Sequence, residues 1–310
     1  MKAFAEWVTA RPARGFVAAA ALALLAVLAL PVAAWVPAGL VVLVLLAAGP
    51  RAAAIAALGA ALPIAWAFNP VVGFGAAVLV AAAVLVPPYL AGSLLESSRS
   101  LTFVFQAATI GACALVLGLH LVVGDPVEAL MPMIEYVRPA LVETARALAD
   151  MGVVRAPEQI WEATARVAWA TAAWMLLLQT MLALFAGLAS FGALREPGLF
   201  GREFRALQLG RMVAWGALAS LAVGLLSQLL TGQAWQPAED VLFVLACGFL
   251  LQALAVVHGL KQSGVIGGVP VVLTYLAIAL LPMAVVGLGF ADTWLRFRER
   301  FGRGPGAAKS

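Results

Sequence analysis

The sequence predicts an all-α fold: a polytopic bundle of about eight or nine transmembrane helices, with one amphipathic helical segment lying on the membrane surface. Three observations carry this expectation. Of 310 residues, 64% are hydrophobic and only 11% are charged, against roughly 25% charged in soluble domains. Mean hydropathy is +1.03, which is more apolar surface than a soluble core can bury. The apolar runs are continuous and rich in Ala, Leu and Val, without the alternation of a membrane barrel strand.

The elements follow in order along one membrane domain, 1–310. Lys2, Arg11 and Arg14 precede an apolar run at 16–30, and PVAA at 31–34 resembles a cleavage region. That is the outline of a signal peptide, but further apolar runs follow at once, which favours an uncleaved first span. Residues 16–49 as one helix would measure about 50 Å, too long for a hydrocarbon core of roughly 30 Å. Pro31 and Pro37 divide the run into short helices at 16–31 and 36–49, read as a tight hairpin. Spans at 51–68, 70–92 and 101–123 follow, broken by Asn69-Pro70 and by ESSRS at 96–100.

Residues 124–163 differ in kind. From Asp125 to Ala163 this stretch holds seven acids and three arginines, with apolar positions at helical spacing, and reads as an extracytoplasmic amphipathic segment. Pro157 is expected to open a helix reaching about residue 194, with its span at 165–194. A basic loop, 195–211, leads to spans at 212–231, 239–260 and 266–291, and a basic tail occupies 292–310. The Lys/Arg bias puts the N-terminus, Arg51, Arg99 and the 195–211 loop on the cytoplasmic side. A ninth full crossing would carry the basic tail outside, against that bias. Pro270, Pro282, Gly287 and Gly289 allow a broken or re-entrant last segment instead.

Several polar residues interrupt the apolar spans. Thr102, Gln106, Thr109, Cys113 and His120 fall on one narrow face of the 101–123 helix. Facing lipid they would lack partners, so the stripe is expected to face other helices or a cavity. Gln106, Thr109, Cys113 and Gln252, the last deep in the 239–260 span, are the candidate solute-lining residues. Thr102, His120 and His258 are weaker candidates. Interhelical hydrogen bonding is the alternative reading for all of them. Gly216, Ser220, Gly224 and Gln228 recur every four residues and read as a helix-packing face. Arg202, Arg205 and Arg211, with Phe204, Leu207 and Leu209 between them, suggest contact with lipid headgroups or a docked partner.

The same inventory argues against other classes. Every Asp and Glu falls at an expected span end or in a loop, which disfavours a proton relay through the membrane centre. Two histidines and two cysteines, Cys113 and Cys247, in separate apolar runs make a metal site unexpected. No catalytic set, nucleotide loop or cofactor motif is present, so neither enzymatic activity nor a cofactor is expected. The net charge of +4 fits membrane orientation better than nucleic-acid binding.

The segments REFRALQLGR (202–211), EDVLFVLACGFLLQALAVVHGL (239–260) and DTWLRFRER (292–300) occur in that order. In this the chain resembles the YybS-like family of bacterial predicted membrane proteins, a domain of unknown function, best over 195–300. The resemblance implies a bacterial cytoplasmic-membrane location and supplies no catalytic residues. More distantly, it suggests the substrate-binding membrane components of energy-coupling-factor transporters, or the small membrane proteins of the cell-elongation machinery.

Two functions are therefore expected to compete. One is a non-enzymatic subunit that binds a small neutral or weakly polar solute, partnered by an ATPase-linked complex. The other is a scaffold that recruits other membrane proteins. The lipid bilayer is a partner in both.

Overall fold

A computed structural model describes residues 2–29, 33, 35–131, 135, 142 and 163–301; helices dominate them and no strand occurs among them. The main elements are α1 (Lys2–Thr9), α2 (Pro12–Ala29), α3 (Trp35–Ala48), α4 (Pro50–Val72), α5 (Phe74–Ser98) and α6 (Leu101–Val122). Then come α7 (Ala168–Arg195), α8 (Leu199–Arg205), α9 (Gly210–Thr231), α10 (Gln236–Gln262), α11 (Gly268–Leu280), α12 (Pro282–Leu295) and α13 (Phe297–Phe301). Six of them, α4, α5, α6, α7, α9 and α10, are long and apolar enough to cross a membrane. The helices α2, α3, α11 and α12 are apolar but shorter. This is the architecture of a multi-pass integral membrane protein, with six full-length candidate spans by length and composition among the described residues and four shorter apolar helices beside them.

The breaks have local causes, and two differ from expectation. Pro37 lies in the first turn of α3, where its missing N–H costs no helical bond. The break expected at Asn69-Pro70 does not occur there. The helix α4 tolerates Pro63 and Pro70 in its interior and ends only at Gly73, whose φ of 79° suits glycine. The last apolar run is not one continuous helix. Leu281, at φ −140° and ψ 56°, separates α11 from α12, and Pro282 opens the second helix. Asp292, Thr293 and Trp294 belong to α12, so helix continues past the expected start of the tail. Within the expected loop 195–211, residues 199–205 form the short helix α8.

Of the 124–163 segment, most positions, Pro157 included, lie outside the described residues. At its start Asp125 caps a short helical turn: Oδ1 accepts the N–H of Val127 at 2.8 Å and of Glu128 at 3.2 Å.

The chain divides into two compact units. The first comprises 1–109, 175–214 and 248–310. Its core is apolar and built on small side chains, with Ala19, Ala23, Val41, Leu45, Ala53 and Ala56 buried where α2, α3 and α4 pack. Glycine sets the approach of two of these helices. A Cβ on Gly59 would stand 2.4 Å from the Phe16 carbonyl oxygen, so only glycine lets α2 and α4 approach so closely. The second unit comprises 110–174 and 215–247. Polar side chains tie it to backbone carbonyls: Trp169 Nε1 donates to Gly124 O at 3.1 Å, and Gln236 Nε2 to Arg166 O at 2.6 Å.

Candidate functional site

Gln252 lies fully buried in α10, and its amide is engaged on both sides. Its Oε1 accepts the Leu209 N–H at 2.7 Å. Its Nε2 donates to Gly289 O at 2.9 Å and Thr293 Oγ1 at 3.2 Å, with Asp292 Oδ2 at 3.4 Å. Leu209 follows the end of α8 in non-helical backbone, so its N–H needs a partner from elsewhere. Gly289 makes the arrangement possible. A Cβ there would stand 1.9 Å from the Phe249 carbonyl oxygen, so the missing side chain lets α12 lie against α10.

The same cluster continues into charge. Asp292 is 3% exposed. Its Oδ1 accepts the Phe297 N–H at 3.0 Å, and its Oδ2 accepts Arg298 Nη2 at 2.7 Å. Arg298 Nη1 also donates to Arg205 O. Both charges are thus compensated and hydrogen-bonded, as a desolvated ion pair requires. A cleft of about 210 Å³ beside them is lined by Arg205, Ala206, Gln208, Asp292, Arg296 and Arg298, among others. The three segments singled out in the sequence therefore meet at this one knot, through Arg205 and Leu209, Gln252, and Asp292 and Arg298.

The polar stripe of α6 does not act as a unit. Thr102 Oγ1 donates to Ala206 O at 3.0 Å and Gln106 Nε2 to Gln208 O at 3.0 Å. These two fasten α6 to the segment after α8, and Glu203 Oε2 accepts the Leu101 N–H at 3.1 Å. Thr109 is buried and bonds its own helix, at Phe105 O, 2.8 Å away. Cys113 is a half-buried free thiol. His120, in the second unit, pairs with Asp240: Nε2 and Oδ2 are 2.8 Å apart, and the side chains are 10% and 6% exposed. Asp240 stands just past the first turn of α10, near a helix end as the sequence suggests, but it is buried there.

His258 sits among aromatic rings. Its Nε2 is 3.0 Å from Tyr275 Oη, and its ring meets Phe204 edge-on at 5.7 Å. Phe204 in turn packs on Phe185 and Phe200. The basic loop is therefore seated in protein: Leu207 and Leu209 are buried, and these apolar side chains are not offered to an outside partner. Arg202 pairs with Glu196, and Arg211 lies over the Trp294 ring at 5.7 Å. On α9 the small-residue face is open. A Cβ on Gly224 would meet no described atom within 4 Å, and one on Gly216 would only reach Leu245 Cδ1 at 4.0 Å. Ser220 is half-buried on this face and Gln228 is exposed.

Two further cavities lie within the first unit. A lateral groove of about 610 Å³ runs between α4 and α5, lined by residues such as Ala57, Ala61, Ala81 and Leu85. A more enclosed cavity of about 270 Å³ is walled by Ala23, Ala26 and Val27 of α2, Pro37 of α3, Ile64 and Phe68 of α4, and Val80 and Val84 of α5. Gln179 of α7 completes the wall. Gln106, Thr109, Cys113 and Gln252 line none of these three spaces.

Gln179 is a membrane glutamine that sequence reasoning passed over. A signal existed in Pro87 and Pro88, inside α5. Pro88 has no N–H to give to Val84, four residues earlier, so that carbonyl is left without its helical donor. Gln179 Nε2 supplies the missing donor, at 2.7 Å from Val84 O. Asp292 and Arg298 fall in the stretch whose composition reads as a basic tail, so sequence gives no signal that they are paired. Among the described residues no group of three or more His, Cys, Asp or Glu side chains could hold a metal ion.

Comparison with protein-family models, with curated proteins and with solved structures finds no match to this chain.

Proposed function

We propose that this chain is a non-enzymatic membrane subunit that binds one small, weakly polar molecule between its helices. The observation that supports the reading is the 270 Å³ cavity enclosed by α2, α3, α4, α5 and α7. Its size approaches that of small-molecule pockets, and it has their character: mostly apolar walls and one polar group. The proposed site is therefore this cavity, which none of the solute-lining residues expected from the sequence borders; both sides of the Gln252 amide are engaged by protein, and Gln106 Nε2 bonds Gln208 O. The reading includes a location in the bacterial cytoplasmic membrane with the N-terminus inside, kinship with the YybS-like family, and an ATPase-linked partner that would supply energy. The test is extraction in mild detergent followed by mass spectrometry of retained small molecules. Wild type is expected to hold one low-mass compound stoichiometrically. Ala26→Leu, which places a larger side chain into the cavity, is expected to lose it. Equal retention by both proteins would reject the cavity as the site.

A second reading rests on a different observation, the face of α9 at Gly216, Ser220, Gly224 and Gln228 that no described residue covers closely. Small residues that let backbones approach are the usual basis of helix association in membranes. In this reading the chain is a scaffold and that face seats the helix of a partner membrane protein.

A further inference from the structure

Resting on the small-molecule reading above, we propose that Gln179 is the polar anchor of the 270 Å³ cavity. The ligand is then a compact, mostly apolar molecule carrying one hydroxyl, which can donate to the amide oxygen and accept its remaining N–H.

Ala23, Ala26, Val27, Pro37, Ile64, Phe68, Val80 and Val84 bring no side-chain donor or acceptor, so Gln179 carries the only polar side chain among the described lining residues. A polar ligand with several hydrogen-bonding groups would leave most of them unpaired there, at a cost of about 1–3 kcal/mol for each. An entirely apolar ligand would in turn leave Oε1 of the glutamine without a partner. The chemistry of the wall thus selects for a single polar group.

The glutamine's own valence decides which kind. One N–H of Nε2 is committed to Val84 O, the carbonyl that Pro88 leaves without a helical donor. This bond fixes the amide in orientation, since releasing it would leave that carbonyl unpaired. Oε1 bonds to none of the described residues, yet no buried side-chain oxygen or nitrogen among them lacks a partner. Oε1 therefore keeps accessible surface. With the nitrogen held against α5, the carbonyl oxygen is the acceptor available to an occupant. Its partner must be a donor, and because Nε2 carries a second N–H that Val84 O does not take, a hydroxyl, which both donates and accepts, satisfies the amide best.

Size narrows the class further. An engineered cavity of about 150 Å³ in another protein admits benzene; at about 270 Å³ this one accommodates a substituted ring or a small bicycle. Contrast with Gln252 shows that burial of a glutamine does not by itself make a site. Both sides of that amide are occupied by protein, and it lines none of the described cavities.

The experiment compares p-cresol with p-xylene, near-isosteres that differ by a hydroxyl in place of a methyl. Each is titrated into the purified full chain in detergent and followed by saturation-transfer NMR, with partition into empty micelles subtracted. The expected result is saturable 1:1 binding, with p-cresol about tenfold tighter than p-xylene, the value of one good buried hydrogen bond. In Gln179→Leu the preference is expected to vanish while p-xylene still binds. Equal affinity of the two probes for wild type would overturn the anchor and leave the small-molecule reading standing. Saturable binding of neither probe would overturn both. The wild-type comparison decides the question even if the variant does not fold.

Discussion

The region around Gln252 and the region around Gln179 use the same side chain in opposite ways. Near Gln252, α10, α12 and the segment after α8 close around the amide, and protein groups engage both its oxygen and its nitrogen. Near Gln179, alanines and valines leave space, and one bond serves to mend a helix that two prolines interrupt. A membrane-buried amide is expensive to leave unpaired, so what surrounds it tells its purpose. Where protein supplies every partner, the amide joins helices. Where protein supplies half, the other half is open to an occupant.

This contrast makes ordered predictions for stability, measured as unfolding free energy in micelles. The largest effect is expected at Gly289, where alanine must push α12 off the Phe249 carbonyl. The loss should exceed about 4 kcal/mol, in the range reserved for severe core disruption. Gly224→Ala, on the open face of α9, should change stability by less than about 0.5 kcal/mol. A comparable cost at the two glycines would mean that the Gln252 region is no more tightly specified than the periphery.

Next comes Asp292→Ala. It strands the Arg298 guanidinium, whose side chain is only 18% exposed, and should cost about 3–5 kcal/mol. Adding Arg298→Met should recover much of that loss, and a double-mutant cycle reads the coupling directly. Additive losses would show that the pair is not coupled.

Smaller losses than at Gly289 and Asp292 are expected at the two glutamines, and these test the comparison most sharply. Gln252→Leu leaves the Leu209 N–H unpaired and strips a donor from α12, at about 2–3 kcal/mol. Gln179→Leu orphans the Val84 carbonyl alone and should cost about 1 kcal/mol. If Gln179→Leu proved the more costly, the amide would be serving the fold more than an occupant.

Much of this architecture was legible in the residues, and the failures have physical reasons. Composition and run length give the helical membrane class, because no other backbone arrangement than a helix suits such continuous apolar runs in lipid. Helical periodicity places Thr102 and Gln106 on one face, and both do reach the same segment at 206–208. The partners were not legible. They are backbone carbonyls about a hundred residues away, and a carbonyl has no residue type to announce it. Proline misled at Pro70, where α4 absorbs one lost hydrogen bond and continues to Gly73. At Pro282 proline told the truth, because a non-helical Leu281 precedes it. Asp292 escaped notice as a buried acid because the arginines after it read as the start of a solvated tail; one of them, Arg298, is in fact its partner.

The bonds of Gln252 also bear on how freely such a sequence can drift. Leu209 contributes its N–H, which any residue but proline can offer, and its side chain answers only to the volume of the core. Gly289 contributes a carbonyl, which any residue can offer, but its place also forbids a side chain. Position 209 can therefore wander among apolar residues over generations while 252 and 289 stand still. A lineage of such proteins would keep a glutamine and a glycine 37 residues apart as its most durable mark, amid helices whose leucines, valines and alanines exchange almost at will.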